Sequence, residues 1–241
     1  MPVHRAYIDT AKICSPFLRY TWDEWNVRPT YEPVNVDEIL RFKALSKRAN
    51  CAFTIAIAEW ILARYESMDN DPEPGQFLEA AWAANIDIEY AGEIDIVDSE
   101  WTGPIRGPVS MALTFVLDAI FAEESSPNSA FNPAWAACFA RHVLPDVSAF
   151  NSWFDFCLTR LEPLYPAPAE EDLDWFDEKN NLGELVPLEV FEPGSAFDST
   201  TAPALINRFL SRLDPELNPF LRSADEMIAD RFVGEPYSYA A

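Results

Sequence analysis

Two histidines, seven glycines and four cysteines are all that 241 residues offer to metal, nucleotide and disulfide chemistry. With only His4 and His142, no HExxH zinc motif and no two-histidine metal cluster can be drawn. The glycines form neither a GxGxxG nor a GxxxxGK[ST] order, and no GxSxG elbow is present, which removes the common nucleotide cradles and the hydrolase nucleophile turn. Cys14, Cys51, Cys138 and Cys157 lack a CxxC spacing, and three of them fall within apolar helical patterns. Buried free thiols in a reducing, cytoplasmic setting are the expectation. The N-terminus has no uninterrupted apolar run after its first charges, so no secretory signal is expected.

Positive charge is also scarce. Seventeen Lys and Arg face forty Asp and Glu, a formal net charge of −23, which opposes binding to nucleic acid phosphates or anionic lipid and favours a basic partner. The imbalance is local: residues 1–65 carry 9 basic and 7 acidic side chains, whereas 66–241 carry 8 and 33.

Hydrophobic residues make up 49% of the chain, enough for a large core. The stretch over 50–67 is apolar on nearly every face of a helix, with Thr54, Glu59 and Arg64 on three different sides. Charge at Glu59 and Arg64, and at Lys47 and Arg48 upstream, argues against a membrane span and for a core helix. A second apolar helix is read over 108–123, with Pro108 at its first position.

Other elements follow from caps and periodicity. Asn35 and Glu38 have capping-box spacing before a helix carrying Ile39, Leu40 and Leu45, which either bends at Asn50 or runs straight into the core helix. Asp71 to Gly75 forces a loop, and a helix begins near Gln76. Asn132-Pro133 reads as cap and first residue of the next helix, and Val147 to Leu161 as an amphipathic one. Ser223 and Glu226 form a second capping box, and helices are read over 203–213 and 224–232. Residues 85–97 alternate Ile and Tyr with Asp and Glu, which suits a short β-hairpin turning at Ala91-Gly92, or an extended helix stopped by Gly92.

The fold expected is all-α, about eight to ten helices around 50–67 and 108–123 in a single helical domain, with at most one short hairpin. Residues 1–34 form an irregular aromatic-rich segment whose rings pack on the body, 163–200 an acidic Pro-rich excursion or linker, and 201–241 helices packed on the main body.

The sharpest candidate site is the run from Glu170 to Glu178, where Leu173, Trp175 and Phe176 sit among Asp172, Asp174, Asp177 and Glu178. Such carboxylates attract a cationic protein at long range and the aromatics anchor it. Asp87, Glu89, Glu93 and Asp95 extend the same chemistry. No catalytic residue, metal ligand or cofactor is assigned. Cys138 with His142 has helical i, i+4 spacing, and Arg106 within Gly103 to Pro108 could offer an anion site at a helix start or belong to a rigid turn. Glu59 and Asp118 each need a partner such as Arg64, Arg106, Arg141 or a backbone cap.

The function expected is an acidic cytoplasmic binding protein, an inhibitor that neutralises a cationic partner by covering its active cleft, without affinity for nucleic acid or membrane. In size, acidity, aromatic content and lack of a catalytic motif the chain resembles bacterial toxin-immunity proteins, though no motif ties it to one family. The alternatives are a Mg- or Mn-dependent helical hydrolase or transferase built from clustered carboxylates, and a small-molecule sensor with an apolar pocket.

Overall fold

The structure is a computed structural model and describes residues 7–8, 10–92, 101–122, 128–169 and 181–239. Nine α-helices are found among them: α1 (Thr10–Ile13), α2 (Val36–Lys43), α3 (Lys47–Tyr65), α4 (Glu73–Ile86), α5 (Gly103–Ile120), α6 (Asn128–Val143), α7 (Ser148–Leu164), α8 (Ala202–Leu210) and α9 (Ala224–Ala229). The fold is all-α: no strand or sheet forms among the described residues, and only two isolated bridges occur, Leu45 with Pro166 and Ala91 with Leu221. No helix among them is long and apolar enough to cross a membrane.

Helix α3 is the axis. Ser46 caps it, its hydroxyl accepting from the Ala49 amide at 3.2 Å, and 16 of its 19 residues are buried. Helices α4, α5 and α6 pack around it, and α7 meets it through rings, with Phe53 stacked on Trp153 at 5.6 Å and Trp60 tilted against the same indole at 5.5 Å. The helix before it neither bends at Asn50 nor continues. It stops at Lys43, and Asn50 reaches back over the break, its amide donating to the carbonyls of Phe42 (3.0 Å) and Leu45 (3.4 Å). Asn35 caps α2 through the Asp37 amide at 2.9 Å, while Glu38 turns to Arg141, so that capping box is only half made. The second box, Ser223 with Glu226, is complete.

Two proline positions differ from the sequence reading. Helix α5 begins at Gly103, five residues earlier than expected, and Pro108 lies inside it. Pro108 has no N–H, so the carbonyl of Pro104 loses its intrahelical donor; the hydroxyl of Tyr20 donates to it instead, at 2.5 Å. Helix α6 likewise starts at Asn128, with Pro133 inside and Asn132 buried rather than capping. Where a tertiary donor takes up the freed carbonyl, as at Pro108, proline does not mark the helix start.

The aromatic N-terminal segment packs as expected at Tyr20, Trp22 and Tyr31, but Phe17 and Trp25 face solvent. Glu24 ties the segment to α5 by accepting from the Gly103 amide at 2.6 Å, which holds its carboxyl below the usual range. Trp22 lies directly on Gly107, where any Cβ would overlap its ring, and edges onto Phe139 at 6.2 Å.

Residues 86–90 do not make a hairpin arm. Helix α4 runs to Ile86, and Asp87 then caps a 3-10 turn over Ile88–Tyr90, its carboxylate accepting from the Glu89 amide at 3.1 Å. Among the described residues this stretch pairs with the C-terminal chain, where Gly92 N–H donates to Phe220 O at 2.8 Å and Arg222 N–H to Tyr90 O at 3.1 Å. Residues 93–97 of the expected hairpin lie outside the described residues.

The described residues 188–191 of the Pro-rich segment are packed on the body. Val190 and Phe191 are fully buried, and α7 holds their backbone: Trp153 Nε1 donates to Phe191 O at 3.0 Å, and Arg160 donates to the carbonyls of Val190, Glu192 and Ser195 at 2.9 to 3.0 Å. One cluster of buried residues thus extends from Ile13 to Met227.

Candidate functional site

Asp172, Leu173, Asp174, Trp175, Phe176, Asp177 and Glu178, with Glu93 and Asp95, lie outside the described residues. Asp87 and Glu89 are described and sit at the corner after α4. Glu89 is exposed and pairs with Arg222 at 2.5 Å, and the other arm of the same guanidinium pairs with Asp230. That fork joins the α4 corner to the C-terminal chain, where Asp225, Glu226, Asp230 and Glu235 are exposed beside Ile228 (64% exposed) and Val233 (93%). Acid and apolar groups share one surface there, the combination read from the sequence for 170–178. The C-terminal part was missed because its acids are interleaved with a helix; the run from Ala224 to Glu235 carried the signal.

The turn after α9 fixes this surface. Arg231 takes φ 65°, its N–H donating to Ile228 O (3.1 Å) and that of Phe232 to Met227 O (2.9 Å), the double bond of a Schellman stop with arginine where glycine is usual. Phe232 packs against Tyr90, and the Tyr237 hydroxyl donates to Arg222 O at 2.5 Å.

A cleft of about 440 Å³ opens elsewhere, between α2, α6 and α7, lined by Pro33, Asn35, Glu38, Cys138, Arg141, Asn151 and Asp155. Arg141 is fully engaged. It forks onto Glu38 at 2.9 and 3.0 Å, donates from Nε to Asn151 Oδ1 at 2.9 Å, and lies over Phe154 (4.7 Å) and Phe150 (5.8 Å). The thiol of Cys138 faces the carbonyls of Pro33 (3.6 Å) and Thr30 (3.7 Å), and burial pushes its pKa up. His142, one turn on, is exposed and packs beside Tyr20 at 5.5 Å, with partial burial lowering its pKa. The i, i+4 pair Cys138 and His142 therefore points in two directions and is not engaged. Of the other thiols, Cys51 and Cys157 are buried, the former pushed up to about 12 by desolvation, and Cys14 is exposed.

Glu59 is buried on α3 and accepts hydrogen bonds from the Tyr7 hydroxyl and from Trp82 Nε1, the latter at 2.9 Å. The three arginines proposed to neutralise it are occupied elsewhere. Arg64, 1% exposed, donates to Phe17 O at 3.2 Å and lies over the Tyr65 ring. Arg106 pairs with Asp69 (2.5 Å) and Asp71 (3.2 Å), which also removes it as an anion site at the start of α5. Asp118 is exposed and needs no buried partner. Among the described residues, no three His, Cys, Asp or Glu side chains gather into a metal-holding group.

Comparison with family models, with curated proteins and with solved structures found no match for this chain.

Proposed function

We propose that this chain is a binding protein that captures a cationic protein partner and neutralises it by covering the partner's basic active cleft. One observation carries the reading: exposed carboxylates outnumber exposed bases among the described residues by more than two to one. Sixteen Asp and Glu are exposed among the described residues, against seven Lys and Arg. Arg41, Arg106, Arg141 and Arg222 are bound to carboxylates, and Arg48, Arg64 and Arg160 to backbone carbonyls.

A surface of this kind accelerates encounter with a basic protein by roughly 10- to 1,000-fold at low salt, and exposed apolar groups such as Ile228 and Val233 then supply contact area. No catalytic group is required for that work. The test is copurification at about 50 mM salt, with elution by salt near 0.5 M, where screening shortens the Debye length to a few ångströms. A single basic protein released by salt, whose association slows roughly tenfold when Glu89, Asp225, Glu226 and Asp230 are changed together to Gln and Asn, is the expected result. Retention of an acidic partner at high salt, or an unchanged association rate in the variant, refutes the reading.

A further inference from the structure

We propose that residues 235–239 form a displaceable strap, and that Tyr90, Asn207 and Arg222 make a seat for a Pro-Tyr-x-Tyr turn that the strap occupies in cis. Beyond Phe232, which packs on Tyr90 at 5.5 Å, Val233, Gly234 and Glu235 are all exposed. The chain returns to the body at Pro236 to Tyr239, where the rings of Tyr237 and Tyr239 rest on the core cluster.

The strap is held by what it touches rather than by its own geometry. The Ser238 N–H donates to Glu235 O at 3.2 Å across Pro236 and Tyr237, and Tyr237 takes φ 56°. Proline second and a positive φ third is the pattern of a type II turn, in which glycine or asparagine is the usual third residue. A tyrosine there is strained, and it persists because its surroundings fix it.

The seat reads both main chain and ring. The Asn207 side chain on α8 pairs with both main-chain groups of Tyr239: its Nδ2 donates to Tyr239 O and its Oδ1 accepts from Tyr239 N–H, each at 2.8 Å. The Tyr90 hydroxyl donates to Ser238 O at 3.1 Å, and its ring stacks on that of Tyr237 at 5.0 Å. The Tyr237 hydroxyl donates to Arg222 O. Main-chain pairing for affinity and side-chain contact for choice is the logic of extended-peptide sites, with an asparagine amide here in place of a strand edge.

Bonds that do not involve the strap hold the seat in place. Tyr90 N–H donates to Asp87 O at 3.0 Å and Arg222 N–H to Tyr90 O at 3.1 Å, the Arg222 guanidinium is forked between Glu89 and Asp230, and Asn207 lies within α8. A preorganised seat binds another copy of the turn at little ordering cost. Its ligand is an aromatic turn and not a cation, so the inference stands apart from capture of a basic partner. The short exposed tether gives the strap an effective concentration on the order of millimolar, so a free peptide competes at that level or when the strap is weakened.

Two measurements on full-length protein test this. In the first, a fluorescein-labelled peptide Glu-Pro-Tyr-Ser-Tyr-Ala-Ala is titrated with the unaltered chain and with the double variant Tyr237→Ser and Tyr239→Ser, which weakens the strap and leaves the seat. Anisotropy is expected to show binding to the variant at least roughly tenfold tighter. That binding is expected to be lost when Asn207→Ala is added, or when serine replaces both tyrosines of the peptide. In the second, hydrogen exchange of the unaltered chain is followed at Ser238 and Tyr239. Exchange there is expected to be independent of urea below the unfolding transition, as local opening requires, while exchange in α3 rises with urea. Unlabelled peptide at about 5 mM is expected to trap the open strap and speed exchange roughly threefold or more, and its serine counterpart to leave it unchanged. Equal binding to the two chains, no binding to the folded variant, or strap exchange that tracks α3 in urea overturns the proposal. If the variant loses cooperative unfolding, the exchange response to peptide decides.

Discussion

Gly107→Ala is a change for which helix propensity and tertiary packing give opposite signs. Gly107 lies inside α5, where alanine is favoured over glycine by about 1 kcal/mol. Its Cα, however, is the floor on which the Trp22 indole rests, and a methyl there would overlap three ring atoms. The neighbour that must give is a large ring edged onto Phe139 and set one residue from the Asp23-Glu24 turn that caps α5. Overpacking of this kind costs about 1 to 3 kcal/mol, and loss of the edge-on ring contact about 0.5 to 1.5 more. The expected net effect is destabilisation by about 0.5 to 3.5 kcal/mol, read as a lower urea midpoint at unchanged slope, or a melting temperature lower by roughly 1 to 14 °C. The cycle with Trp22→Ala isolates the cause. In that background the overlap is gone, and Gly107→Ala should stabilise by up to about 1 kcal/mol. A stabilising Gly107→Ala in the otherwise unchanged protein would refute the placement of Trp22.

Arg64 is buried, and its Nε and Nη1 groups find no acceptor among the described residues, so Arg64→Met is expected to leave stability unchanged or raise it by about 1 kcal/mol, whereas Arg64→Ala should lower it through the cavity; a loss above about 2 kcal/mol for Met in urea unfolding would show that the guanidinium is paired. Arg231 occupies a left-handed stop position, and Arg231→Gly should raise stability by roughly 0.5 to 1 kcal/mol by calorimetry, with a loss counting against the Schellman geometry. The Asp69 and Glu162 carboxyls are held below their ordinary values of 3.8 and 4.5, first by hydrogen bonds from Arg106 and Arg41. Their contribution is therefore present above those ordinary values and lost as pH falls through the lowered ones; Asp69→Asn with Glu162→Gln should flatten acid unfolding in that window, and an unchanged profile would sink the assignment.

The local order of the chain determined its class. The all-round apolar pattern over 50–67 can be satisfied only inside protein, and α3 is buried on every side for that reason. The Ser223 box, the Val147 to Leu161 periodicity and the acid excess were equally legible, because caps, periods and charge are properties of neighbours in sequence.

What the tertiary structure decided were the partners of groups whose local signal is ambiguous. Pro108 looked like a helix start until Tyr20, far along the chain, supplied the donor that a proline inside a helix removes. Alternation at 86–90 looked like a strand, but the backbone that pairs there belongs to residues 220–222, and Asp87 closes a turn first. Glu59 was given an arginine by proximity in composition, whereas two of its hydrogen bonds come from Tyr7 and Trp82. Sequence could count forty carboxylates against seventeen bases, but only the fold decides which bases are spent inside on carbonyls and carboxylates. That choice leaves Glu89, Asp155 and the acids of α9 facing outward, because hydrogen bonding of an arginine depends on distances that no spacing in the chain encodes.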